Sequence, residues 1–302
     1  MLIDTHCHTN FKIFKSQVAQ VVARAHEAGV DRLIVVGSDL KNSRLAVRQA
    51  KAHPEIKAAV GVHPHHVWRF LEKAKSQVQV TGELLEDLKL KVVETVREQL
   101  AELVKSSPQE VVAVGEAGFD RHFYEKTQYE TLEITQEYLS WQQAFFIMQA
   151  ELARDHDLAL IIHNREAVED LLKVFAKRPD LILPQKTVFH CCEPDERLLE
   201  FAKKHHFFIG VDGDVTYDPK KSKFIRQVPL EMLVLETDSP YLLPEPERSQ
   251  KQGLRFRDRA AEPRHVAVIA KFLAQLKQLK LAKIKEQTTF NASLLFSLTE
   301  PV

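Results

Sequence analysis

The chain has 302 residues, 42 basic against 42 acidic, and three cysteines. A formal charge of zero excludes a global cationic field for nucleic acid or an anionic membrane, though not a locally basic cleft, and three cysteines, two of them adjacent at Cys191 and Cys192, exclude a disulfide framework. With no apolar run near the roughly 18 to 20 residues that span a bilayer, and no basic and apolar leader at the N-terminus, a soluble cytoplasmic protein without a membrane partner is the expectation.

Short, largely unalternated apolar runs lie near 2–6, 32–37, 57–62, 111–116, 158–163, 187–190, 207–211 and 232–237, the pattern of parallel strands buried on both faces. After the first run, Ser16 is placed to cap a helix through Val18, Val21, Val22 and Ala25, with Gly29 as the left-handed residue beyond its last turn. After the third, residues 64–107 form an extended excursion, and Leu84 through Leu103 keep the spacing of an amphipathic helix. After the sixth, Pro194 suits a first helical turn ahead of Leu198, Leu199 and Phe201. The tail from Glu262 to Leu298 supplies closing helices. Strand and helix alternating eight times in a chain of this length predict a (β/α)8 TIM barrel, one domain over 1–302 with a helical insertion after strand three, rather than an open doubly wound sheet.

In such a barrel the loops at the carboxyl ends of the strands form one face, where side chains from several strands converge. His6, Glu116, His163, His190 and Asp238 each end an apolar run, and His8 shares the strand face of His6 because side chains two apart point the same way. Any one of these histidines, read singly, is more often a hydrogen-bonded structural residue. Six metal-type residues at one end of five strands instead predict a metal centre, since borderline cations accept imidazole nitrogen and carboxylate oxygen together. Glu116, with two oxygens, can bridge two ions. Cys7 alternates away from its neighbours into the core, Cys191 and Cys192 read as small apolar fillers, and His65-His66 and His205-His206 read as chance pairs.

Five blocks in order along the chain, Ile3-Asp4-Thr5-His6-Cys7-His8, Val60-Gly61-Val62-His63-Pro64-His65, Val114-Gly115-Glu116-Ala117-Gly118-Phe119-Asp120, Ile162-His163-Asn164-Arg165-Glu166-Ala167 and Leu235-Glu236-Thr237-Asp238-Ser239-Pro240-Tyr241, resemble the TatD-type metal-dependent hydrolases of the amidohydrolase superfamily. The resemblance implies a barrel holding two divalent ions (zinc, magnesium or manganese) and hydrolysing phosphodiester bonds in DNA. It implies that His6, His8, Glu116 and Asp238 hold one ion and that Glu116, His163 and His190 hold the second. It also places His63 near the substrate, although His63 has the alternative role of holding the turn before Pro64. The chain departs from the family pattern at Gly118-Phe119-Asp120-Arg121-His122-Phe123, at His190-Cys191-Cys192-Glu193 and at Ala260-Ala261-Glu262-Pro263.

Divalent ions activate water and polarise a phosphoryl oxygen, so such a site needs no nucleophilic side chain. Asp238 is then either a ligand only or a ligand that also acts as general base, with Glu116 the other catalytic carboxylate. Arg165 offers a planar fork for a phosphate, or else is a solvated residue of the next helix's first turn. Arg255, Arg257 and Arg259, with Lys220, Lys221 and Lys223, are placed to follow a phosphate backbone, and Phe256 to stack on a base. Their alternative is a solvated loop, and Asp212 and Asp214 read as a plain acidic loop ahead of the alternative that they hydrogen-bond groups supporting the site. The expectation is a deoxyribonuclease or related phosphodiesterase acting on single-stranded DNA. An amide, lactone or ester hydrolase, and a catalytically silent metal-binding scaffold, are the alternatives.

Overall fold

In the computed structural model, which describes residues 1–124 and 133–298, eight parallel strands pair in sequence order: β1 (Ile3–Cys7), β2 (Arg32–Val36), β3 (Ile56–Val60), β4 (Val111–Asp120), β5 (Ala159–Arg165), β6 (Thr187–Phe189), β7 (Phe208–Val211) and β8 (Leu233–Leu235). The first and last close on one another through a parallel bridge between Cys7 and Ser239, with Asp238 N donating to His6 O at 2.9 Å and His8 N to Ser239 O at 2.8 Å. The sheet is therefore the barrel that the alternation of runs predicts.

Helices α1 (Val18–Glu27), α2 (Leu40–Ala52), α3 (Pro64–Thr81), α4 (Leu85–Ser106), α5 (Gln136–Asp155), α6 (Val168–Lys177), α7 (Glu196–His205) and α8 (Pro219–Gln227) alternate with the strands, and α9 (Glu247–Gln250), α10 (Val266–Lys277) and α11 (Leu281–Leu295) follow β8. The excursion after β3 is a pair, α3 and α4, divided at Gly82 with φ of 71°. None of the helices among the described residues is long and apolar enough to cross a membrane.

Two helix starts differ from expectation. Ser16 does not cap α1: a 3-10 turn over Lys12–Phe14 runs into it, and the boundary residue is Gln17, whose N–H is taken by Phe14 O at 2.8 Å. Pro194 lies outside α7, because the Asp195 carboxylate accepts the N–H of Arg197 and so starts the helix at Glu196, two residues later. Gly29, at φ of 80°, ends α1 as its position requires.

Alternation divides the core. Ile3, Ile34, Val36, Ala59, Ala113, Ile161, Val188, Phe208 and Val234 fill the barrel's interior together with Ala292, Leu295 and Phe296 from α11 and the residue following it. Asn291 Nδ2 donates to Leu230 O at 2.9 Å and Leu233 O at 2.7 Å, and Thr289 to Met1 O at 3.1 Å. Helix α11 thus seals the end where strands begin, and the opposite end carries the polar residues.

Candidate metal centre

β4 is longer than its apolar run and places Glu116, Gly118 and Asp120 on one face by period-two alternation. It runs so close to β5 that a Cβ on Gly118, at φ of 152°, would sit 1.8 Å from His163 O. That approach brings His163 Nδ1 to 2.7 Å from Glu116 Oε1 and His163 Nε2 to 2.8 Å from Asp120 Oδ2. Glu116 Oε1 also lies 3.7 Å from His190 Nε2 and 3.5 Å from His63 Nε2, while Oε2 lies 3.5 Å from His6 Nε2. On the β1 side, His6 Nε2 and His8 Nε2 are 3.2 Å apart, and Asp238 Oδ1 stands 3.3 Å from the latter and 3.8 Å from the former. All six metal-type residues anticipated from the strand ends are therefore within one cluster, with the two oxygens of Glu116 facing opposite sides of it.

The partners of the distal ring nitrogens bear on which histidines can bind a cation. His8 Nδ1 meets Val36 O at 3.0 Å, an atom that only accepts, so Nδ1 carries the proton and the Nε2 lone pair faces the cluster. His190 Nδ1 lies 3.0 Å from Glu236 Oε1, an orienting carboxylate that leaves Nε2 toward Glu116. His63 is the reverse. Its Nδ1 accepts the backbone N–H of His65 at 3.1 Å as cap of α3, so its Nε2 is N–H, a donor rather than a ligand. Burial also holds the His63 imidazole well below its ordinary pKa, against the pull of Glu116.

Burial disfavours the ionised form of Glu116, but His63, His190 and the hydrogen bonds from His163 and His6 outweigh it and hold the carboxyl well below its usual range. For His163, burial opposes protonation, yet Asp120 and Glu116 raise it to about 9; for His190, Glu236 and Glu116 raise it against burial to about 10. A cation held by these residues would take the place of those protons and supply the charge that stabilises the carboxylates. Imidazole and carboxylate donors in this number fit a divalent ion such as zinc or manganese.

Other anticipated residues fall differently. Arg165 ends β5 rather than opening α6, and its guanidinium lies over the Tyr124 ring at 4.9 Å while Nη1 donates to Tyr124 Oη at 3.0 Å. Lys220, Lys221 and Lys223 lie on α8, not on a loop, and Lys221 is buried, with Nζ 3.1 Å from Asp214 Oδ2 and donating to Cys192 O at 2.9 Å. It is withdrawn from any backbone track. Asp212 and Asp214 are accordingly not a plain solvated loop, since Asp212 is buried and accepts Asp214 N at 3.1 Å. His65 is no chance neighbour, because its Nε2 lies 3.1 Å from Asp120 Oδ2. Cys7 belongs to the core outside the barrel, as alternation predicts. Phe256, Arg257 and Arg259 lie on an exposed 3-10 turn after β8.

Three buried carboxylates escaped the sequence reading. Asp120 is fully buried and gathers His163, His65 and, at 2.9 Å, Tyr124 Oη. Glu236, besides facing His190, accepts Cys191 N at 2.6 Å. Asp4 accepts Thr237 Oγ1 at 2.7 Å, Thr237 N at 3.0 Å and His6 N at 3.2 Å, fixing β1 against the segment that carries Asp238.

Comparison with known proteins agrees with this arrangement. A family model described as TatD related DNase matches residues 3–297. An uncharacterized metal-dependent hydrolase of Mycoplasma pneumoniae is 32% identical over 303 residues, covering 97% of this chain and 98% of that protein. The 3'-5' ssDNA/RNA exonuclease TatD of Erwinia tasmaniensis is 30% identical over 286 residues, covering 92% and 93%. Among solved structures, the TatD homolog YJJV of Escherichia coli K12 superposes with a TM-score of 0.77 at 26% identity, covering 98% of each chain. Barrel, cluster and matched length together place the chain in the TatD-related DNase family.

Proposed function

We propose that residues 1–302 act as one metal-dependent phosphodiesterase domain that hydrolyses single-stranded DNA, with two divalent ions shared through Glu116. The observation that carries this reading is the Glu116 carboxylate, which turns Oε2 toward His6 and Oε1 toward His163 and His190 from a buried position. His6, His8 and Asp238 would complete one ion's ligands, and His163 and His190 the other's. Bound there, such ions lower the pKa of water and polarise a phosphoryl oxygen.

The chain's own groups do the rest. Asp238, with 19% of its side chain exposed, is more open to solvent than His6 or His8, and accepts the proton of the attacking water as general base. His63, a neutral Nε2–H donor held by its cap bond, hydrogen-bonds a phosphate oxygen. Arg165, steadied against Tyr124, offers its remaining N–H groups to a second. Asp120 and Glu236 fix the rings of His163 and His190.

The test is cleavage of an end-labelled single-stranded oligonucleotide by metal-stripped protein after magnesium, manganese or zinc is restored, with Glu116→Ala alongside. Cleavage that metal restores and the variant lacks is expected. No cleavage with any ion overturns the nuclease reading in favour of a carbonyl or small phosphoester substrate.

A further inference from the structure

Rings lead outward from the cluster across the loops after β1 and β8. His8 stacks on Phe11 at a centroid distance of 4.4 Å and 14° between planes, Phe11 meets Tyr241 edge-on at 6.4 Å, and Tyr241 faces Phe256 at 5.8 Å and 35°. The outer two are open, Tyr241 at 47% and Phe256 at 45% exposure. Burying rings of this size is favourable, so leaving two side by side in water, at the rim of a site, calls for a ligand with flat apolar faces.

Charge identifies that ligand. The chain is neutral overall, yet residues 248–259 hold five basic groups, Arg248, Lys251, Arg255, Arg257 and Arg259, against the single acidic Asp258. Lys251 pairs with Glu247 and Arg255 with Asp258, while Arg257 and Arg259, flanking and following Phe256, are in no ion pair with a described residue. Exposed rings interleaved with uncommitted guanidinium groups match a polyanion whose bases are unpaired, because a duplex hides its base faces in its own stack.

We propose that Phe11, Tyr241 and Phe256, with Arg257 and Arg259, form a stacking track that holds the bases of a single-stranded nucleic acid as its backbone enters the metal centre. The track rests on the phosphodiesterase reading and names what selects its substrate. Its two open rings engage successive bases without reading sequence, so preference is for single strands over duplexes and not for particular bases.

Fluorescence anisotropy on the full chain tests it with three labelled probes of one length: oligothymidylate, its duplex with oligoadenylate, and an abasic phosphodiester oligomer carrying equal charge. Stacking of one base is worth about 1–3 kcal/mol by alanine substitution, so Tyr241→Ala with Phe256→Ala should weaken oligothymidylate binding by roughly tenfold or more while leaving the abasic probe's affinity where it was. Phe256→Trp should keep the single-strand preference that Phe256→Ala diminishes. Arg257→Gln should weaken both single-stranded probes and reduce the slope of log affinity on log salt by about 0.7. Equal wild-type affinity for oligothymidylate and abasic probe, equal affinity for duplex, or no effect of the alanine pair each overturns the track. Wild-type hydrolysis of a small phosphodiester, measured beside these, bears on the phosphodiesterase reading alone: its loss while base-dependent binding persists removes that reading and keeps the track.

Discussion

Glu236 keeps its place because Gly210, on the adjacent strand β7, has no side chain: a Cβ there would fall 2.2 Å from Glu236 Oε1. Gly210→Ala should therefore push the carboxylate from His190 and Cys191 N and lower metal affinity by about 10–100-fold, the usual cost of losing an orienting partner of a ligand. Calorimetric titration with zinc checks this, and Glu236→Gln should show the same direction; unchanged affinity in both would remove Glu236 from the site's support. His63 gives a contrasting expectation. As an N–H donor to substrate rather than a ligand, His63→Ala should cut kcat/KM by about 10²–10³-fold, on the scale of one lost transition-state donor, with bound metal unchanged by elemental analysis. Loss of metal in that variant would make His63 a ligand after all. The six metal-type residues were legible because each stands at or beside the end of an apolar run, where a barrel gathers side chains. Asp120 was not, because its strand outlasts the apolar run by four residues beyond Glu116, and only the pairing of Asp120 with Arg165 in β5 reveals it. Lys221 misled for the opposite reason, since a basic residue between two other lysines reads as solvated until its neighbours Asp214 and Cys192 are known.

Helix ends were legible where backbone geometry demands one residue type, as at Gly29, and less so where a preceding 3-10 turn or a neighbouring side chain sets the boundary, as at Ser16 and Pro194. One such end ties the first helix to the last part of the chain. Glu262 accepts two bonds from Arg24 of α1, at 2.8 and 3.0 Å, and its backbone N–H donates to His265 Nδ1 at 2.9 Å. That bond needs neutral His265, and burial lowers its pKa from 6.5 to about 4, with Arg264 and Lys251 acting in the same direction and Glu247 and Glu262 against it. The unfolded chain then takes up a proton near pH 6.5 that the folded chain takes up only near 4. The contribution is present in full above 6.5 and is lost as pH falls toward 4, and it is on the order of 3 kcal/mol. Melting temperatures of wild type and His265→Gln, followed from pH 7.5 to 4, should converge as pH falls; a constant gap would mean that His265 is not held neutral.

On the scale of the molecule, stability and chemistry occupy opposite ends of the barrel. Phe296, 2% exposed, closes the interior from beneath with Leu295 and Ala292. Phe296→Ala should cost about 3–5 kcal/mol, as for other buried aromatic truncations, measured by denaturant unfolding, while metal content and activity persist below the transition. Loss of metal under native conditions would show that the two ends are not independent. The barrel itself was legible from eight runs in one order, whereas its seal was not, because α11 is apolar on several sides and nothing in its spacing names the surface it covers. The seam between β1 and β8 has a further bearing on how the molecule is made. His6 and His8 leave the ribosome well ahead of Asp238, whose N–H is bound to the His6 carbonyl and whose carboxylate faces both rings. Half of the centre therefore waits for the other, and a cation held jointly by His6, His8 and Asp238 would serve as a timestamp for the moment at which the two edges of the nascent sheet meet.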